Sequence, residues 1–245
     1  MSYVEKKGNI FNSNAMAIVN TVNCVGAMGK GIALDFKLRF PEMFKEYQKI
    51  CFKHLLRPGQ ILPYTKSSPI ILNFAIKDDW KDPSREEWIE QTLQKFVSNY
   101  RSMGITSVAF PWMGAMNGGL PFETIQNLTR KYLSDLEDVS IEVYEFDPDV
   151  PCKLYNSLET IVNNSLFTVS ELERYSDIKT RYWEKIISAV KDDRTKSINN
   201  LCHYIVNGKR IIGKTNIERL FIFLTKYNSG KLPIMDSLFK QDSSL

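Results

Sequence analysis

Residues 19–34 read VNTVNCVGAMGKGIAL, and the fold turns on how this stretch is read. Two asparagines, Asn20 and Asn23, stand at the end of an apolar run. Gly26, Gly29 and Gly31 follow, and Gly31 opens directly into a segment with helical spacing. Glycine costs backbone entropy and buries no side chain, so packing alone does not call for such a cluster. A glycine loop between a strand and a helix instead lets backbone N–H groups and the positive end of the helix face an anion. The spacing fits neither GxxxxGK[ST] nor GxGxxG, so the stretch is neither a Walker-type phosphate loop nor a dinucleotide fingerprint.

Outward from this loop, strand-like and helix-like segments alternate. MAIVN (16–20) reads as a buried strand before it, and residues 31–40 as a helix after it. Pro41 can start another helix, to about His54. Residues 61–64 and 70–76 (IILNFAI) read as strands. Ser84 is expected to cap a long helix whose apolar face carries Trp88, Leu93, Phe96 and Val97, with Gly104 ending it. SVAF (107–110) is a strand, 121–133 a helix and SIEVYEF (140–146) a last strand. This alternation predicts an α/β domain with a largely parallel sheet. A second glycine loop, PWMGAMNGGLP (111–121), again joins a strand to a helix. Two such loops at strand carboxyl ends flank one crevice, where ligands of open α/β sheets bind, and two loops suit a diphosphate.

After DPDVP (147–151) the pattern changes. Residues 155–162, 169–175, 180–190, 198–206 and 217–227 all fit helical spacing, with a turn-strand at 209–212. The expected organisation is one α/β domain over 1–150 and a small, mainly helical module over 151–245. The first carries a net charge of −1 and the second +5, so the module suits nucleic acid or an acidic protein partner.

Composition excludes several classes. With 245 residues, 43% hydrophobic and 24% charged, the chain is globular in character, and no apolar run is long enough to span a bilayer. The N-terminus MSYVEKKGNI lacks the apolar core of a signal peptide, so a cytoplasmic protein with no membrane partner is expected. Four cysteines without CxxC spacing read as reduced thiols. Neither of the two histidines has a second ligand nearby, so neither a metal nor a cofactor is expected.

Four motifs together carry a resemblance: GNI (8–10), AIVNTVN (17–23), GKGIA (29–33) and PxxGAxxGGLP (111–121). Over about residues 1–147 they resemble the macro domain, the three-layer α/β/α fold that binds ADP-ribose. Within it, VNTVNCVGAMGKGIALDFKLRFPEMF looks most like the DarG branch, DNA ADP-ribosyl glycohydrolases that act as antitoxins to DarT-type DNA ADP-ribosyltransferases. The resemblance implies ADP-ribose, or ADP-ribosylated DNA, as ligand. It places Asn9 and Ile10 at the adenine, Asn20 and Asn23 at the distal ribose and its base, and Gly29, Lys30, Gly31 and Ile32 at the diphosphate. Gly114, Ala115, Met116, Asn117, Gly118, Gly119 and Leu120 would enclose the phosphate and distal ribose. Lys77 matches the lysine on which the DarG branch depends, and Asn23 is the second candidate for the chemistry. The helical module would bind the DarT-type toxin.

Three positions depart from relatives. The usual macro aspartate is Asn9, a neutral acceptor. The acid that partners the lysine in protein-directed relatives falls at Gly118, which favours base-linked over carboxylate-linked ADP-ribose. Met116 stands where DarG-type loops carry glycine. Two other readings stand beside this one: a non-catalytic ADP-ribose reader, to which Asn9 and Met116 give weight, and a protein ADP-ribosyl hydrolase, against which the missing acid at Gly118 argues.

Overall fold

Strand β2 (Ala17–Val22) sorts its side chains by alternation. Ala17 and Val19 enter one core, while Ile18 and Val22 enter another on the opposite face. The computed structural model describes residues 2–115 and 118–232. The chain divides into two compact units, residues 1–147 and 148–245.

The first unit is built on six strands in the order β1-β6-β5-β2-β4-β3. The others are β1 (Tyr3–Gly8), β3 (Ile61–Tyr64), β4 (Ile70–Ala75), β5 (Ser107–Pro111) and β6 (Ser140–Phe146). Neighbours run parallel except β3, which pairs antiparallel with β4. Helices α1 (Gly31–Arg39) and α2 (Pro41–Phe52) bring Phe36, Met43, Tyr47 and Cys51 to one face. Helices α3 (Glu86–Asn99) and α4 (Phe122–Leu133) bring Leu93, Phe96, Ile125 and Leu128 to the other. This is the three-layer α/β/α arrangement with a largely parallel sheet. Phe74, Phe96 and Phe110 form an aromatic centre, with ring centroids 5.2–6.4 Å apart. Each ring so buried contributes about 1.5–3 kcal/mol.

The second unit is mainly helical: α5 (Lys153–Asn163), α6 (Val169–Ser176), α7 (Thr180–Val190), α8 (Ile198–His203) and α9 (Lys214–Asn228). Thr168 and Glu171 form a capping box at the start of α6. Trp183 is fully buried and donates its indole N–H to Ser176 Oγ at 2.8 Å. No helix among the described residues is long and apolar enough to cross a membrane.

Three sequence expectations are corrected. The edge strand β1 was not expected; its central residues are exposed and charged, so it has no apolar alternation to read. Ser84 does not cap α3: Arg85 holds that position without a side-chain bond, and Ser84 Oγ is buried with no partner among the described residues. The helix expected over 198–206 stops at His203. Ile205–Val206 and Lys209–Arg210 (β7 and β8) form a hairpin across Asn207 and Gly208, both at positive φ (50° and 73°), the pairing that two-residue hairpins favour.

Candidate functional site

The strand order brings the carboxyl ends of β5, β2 and β4 side by side. These ends carry the second glycine loop, the first glycine loop and Lys77. At the far end of the same crest, β1 ends at Gly8, in register with Phe146 of β6. Asn9 and a 3-10 turn over Ile10–Asn12 follow Gly8. One edge of one sheet thus collects every expected site segment.

The first loop is held by Asn23. Its Oδ1 accepts from the N–H groups of Val25 and Ala27, both at 3.1 Å, and its Nδ2 donates to Ala27 O at 2.6 Å. The Tyr47 hydroxyl also donates to Asn23 O at 2.8 Å and to its Oδ1 at 3.0 Å. The side chain expected to act at the base is therefore committed to shaping the loop, with one amide hydrogen left over. Gly26, at φ 83°, lies against Cys51, and Met28 anchors the loop in the core. Gly29 and Lys30 are left exposed just before α1, where Gly31 (φ 60°) and the half-buried Ile32 begin the helix. The unpaired first-turn N–H groups of α1 suit an anion.

Asn20 was expected near the distal ribose. It is fully buried in mid-strand, on the same side as Ile18 and Val22, and donates to Asn73 Oδ1 at 2.8 Å across the β2–β4 register. Its Oδ1 has no partner among the described residues. Asn9 Oδ1 accepts from Phe11 N–H at 3.1 Å and so caps the 3-10 turn, with Ile10 buried behind it.

In the second loop Gly114 and Gly119 adopt φ 83° and 77°. Gly118 packs against the Gly114 backbone: a Cβ there would lie 2.3 Å from Gly114 O and 2.4 Å from its Cα. Leu120 N–H closes the turn onto Gly114 O at 3.1 Å. Ala115 and Leu120 are half-buried against the core. Met116 and Asn117 lie outside the described residues.

Lys77 follows β4 and begins a short segment bonded to both loops. Cys24 N–H of the first loop donates to Asp78 O at 2.9 Å, and Ser84 N–H donates to Gly118 O of the second at 2.9 Å. Lys77 Nζ donates to Asp82 O at 2.7 Å across the segment. Burial of the amine, then the nearby Lys30, hold its pKa below the ordinary lysine value, against the opposing pull of Asp82. A lowered amine pKa raises the neutral fraction, the form able to accept a proton or attack carbon.

Sequence reasoning missed three contributors. Tyr47 reads as plain core, at helical spacing with Met43 and Cys51. Asn73 was legible as the one polar residue in IILNFAI. Phe146, 43% exposed at the end of β6, offers an aromatic face next to the Gly8–Asn9 turn. All four cysteines are free thiols. Two concavities, of about 400 and 480 Å³, contain neither Lys77 nor any residue of the glycine loops.

The family described as Macro domain matches residues 19–129. The macrodomain of Thermus aquaticus DarG is 38% identical, with a TM-score of 0.56, over 59% of this chain and 98% of that one. This chain belongs to the macro domain family. The DNA ADP-ribosyl glycohydrolase of Thermus aquaticus is 39% identical over 144 residues, 57% of this chain and 40% of the relative. In Thermosipho africanus a DNA ADP-ribosyl transferase-DNA ADP-ribosyl glycohydrolase fusion protein is 32% identical over 163 residues, 59% of this chain and 41% of that one. A structure of Thermosipho africanus DarTG in complex with ADP-ribose is similar at 32% identity and a TM-score of 0.54, over 57% of this chain and 40% of that one. The chain thus spans about 40% of the length of these curated relatives.

Proposed function

We propose that this protein is a DNA ADP-ribosyl glycohydrolase, which binds ADP-ribose along the crest and releases it from a DNA base. The observation that carries the reading is the segment from Lys77 to Ser84, which carries the amine and is hydrogen-bonded to both glycine loops. The loops and the start of α1 would hold the diphosphate, and Lys77 would act at the anomeric carbon or on the departing base. Water adds to that carbon, and the base leaves with the proton. Holding the carbon against its attacker and stabilising the charge that develops there are the main tasks for such a bond.

Base linkage is favoured over carboxylate linkage by Gly118. Protein-directed relatives place an acid at this position, and here no side chain fits there without moving the Gly114 backbone. The DNA-directed relatives support the same reading. The test is single-turnover release of ADP-ribose from thymine- and guanine-linked oligonucleotides, beside a carboxylate-linked protein substrate. Release from DNA and not from protein is expected; the reverse pattern would refute the reading.

Residues 151–245 we assign to the partner, a DarT-type transferase, which makes the protein an antitoxin. The fusion relative, whose name joins transferase and glycohydrolase, supports this. The +5 charge of residues 151–245 fits an acidic surface on the transferase. A pull-down with the cognate transferase beside a DNA-binding titration decides it. Salt-sensitive DNA binding without a transferase complex would reject the assignment.

A further inference from the structure

Trp80 stands out on the same crest. It is 52% exposed, although its ring could bury a large apolar area, and it sits three residues from Lys77. A tight turn presents it. Asp82 N–H donates to Asp79 O at 3.3 Å, and Lys81 N–H donates to Asp79 Oδ1 at 3.0 Å, so Trp80 occupies the turn's tip. Lys77 Nζ bonds the carbonyl of Asp82, the last residue of that turn. One four-residue turn therefore both accepts a hydrogen bond from the amine and carries the backbone from which the indole projects. Its ends lie within about 7 Å of each other by the definition of such turns. Lys81 Nζ lies 5.5 Å from the centroid of the Trp80 ring.

From this geometry we infer that Trp80 is a stacking platform for the nucleobase that carries the ADP-ribose. The inference rests on the DNA-directed reading above. A base linked to an anomeric carbon held at Lys77 is within reach of a ring carried on the same turn. The local charge says how the contact works. Residues 77–82 (KDDWKD) carry three aspartates against two lysines, so the turn is no cationic patch for a phosphate backbone. What the turn offers DNA is an apolar ring face, and every base has a face to match it. The turn thus reads the leaving group, while the glycine loops hold the part common to all ADP-ribosylated substrates.

The experiment uses the full chain carrying Lys77→Ala to prevent turnover, with Trp80→Ala or Trp80→Phe added. Calorimetry measures affinity for three probes: ADP-ribosylated thymidine, ADP-ribosylated guanosine and free ADP-ribose. Stacking of one base on an aromatic ring changes affinity on the order of 5- to 150-fold. Trp80→Ala is expected to weaken at least one base-linked probe by that order and to leave free ADP-ribose within about twofold. Trp80→Phe is expected to keep most of the affinity. Equal affinity of the Trp80→Ala protein for the base-linked probes would overturn the inference, and so would equal weakening of all three probes. Failure of the DNA-directed reading is seen separately, as a protein with Lys77 and Trp80 intact that releases nothing from either oligonucleotide. The binding comparison still reports on Trp80 in that case.

Discussion

Replacing Gly118 by alanine tests the architecture of the second loop. The added Cβ would stand 2.3, 2.4 and 2.6 Å from Gly114 O, Cα and C, all backbone atoms of the facing turn. No flexible side chain can yield, so the loop itself must move. Gly118 is not at positive φ, so the cost is steric. Overpacking of this kind costs about 1–3 kcal/mol, against about 0.4–1 kcal/mol regained from the unfolded chain. Gly29→Ala is the matched control. It too lies outside positive φ, and nothing comes within 4 Å of its Cβ, so its stability is expected to be unchanged or raised by up to about 1 kcal/mol. The assay is thermal unfolding of the full chain, followed by tryptophan fluorescence, with calorimetric titration of ADP-ribose. Each kcal/mol corresponds to about 2–4 °C. Gly118→Ala is expected to lower the transition by several degrees and to weaken ADP-ribose, because the loop and its bond to Ser84 shift together. If Gly118→Ala matched Gly29→Ala in stability and bound ADP-ribose like the parent protein, the close Gly114–Gly118 packing would be wrong. So would the reason given for the missing acid.

Three further outcomes are expected. Asn23→Ala removes the acceptor of the Val25 and Ala27 N–H groups and one of the two acceptors of the Tyr47 hydroxyl, whose bond to the Asn23 backbone O remains; at about 0.5–1.5 kcal/mol for each hydrogen bond lost, thermal stability and ADP-ribose affinity should both fall, and unchanged stability would show that Asn23 does not shape the loop. Asn9→Asp restores a charged acceptor beside Phe11 N–H and should hold or raise ADP-ribose affinity in calorimetry; a tenfold loss, about 1.4 kcal/mol, would contradict that. Asp138 is held at about 2, below its ordinary 3.8, by Arg101 and then the Tyr100 hydroxyl. Its stabilisation is therefore complete above about pH 4 and lost as pH falls toward 2, so the melting-temperature gap between the parent protein and Asp138→Asn should close over that window and stay constant above it.

Where local pattern and tertiary role coincide, the sequence was readable. Strands β2, β4 and β5 are short, nearly continuous apolar runs buried on both faces of the sheet, and proline or glycine punctuates the helices between them, so the layers and both loops could be placed from residues alone. Strand β1 could not, because it is a polar edge held by pairing with β6 rather than by an apolar face. Ser84 looked like a helix cap because serine before two glutamates fits that pattern. In the fold its backbone N–H instead serves Gly118, a contact between segments distant in sequence. Asn23 was expected at the site, yet its part in bracing the loop depends on Tyr47, a residue that periodicity assigns to core. Lys77 was visible only through the family resemblance, since a lysine at a strand end is ordinary. Its bond to Asp82 and the attachment of its segment to both loops exist only in three dimensions.

The central claim is that the Lys77 amine performs the chemistry while the loops perform the binding. Its most direct test is Lys77→Ala in single-turnover release of ADP-ribose from a base-modified oligonucleotide, with enzyme saturating, beside a calorimetric titration of free ADP-ribose. Acid–base and nucleophilic groups contribute on the order of 10²–10⁴-fold, so the rate is expected to fall by at least 10²-fold while ADP-ribose affinity stays within about twofold. A variant that releases ADP-ribose as fast as the parent protein would contradict the account, and so would one whose lost activity is fully matched by lost ADP-ribose binding.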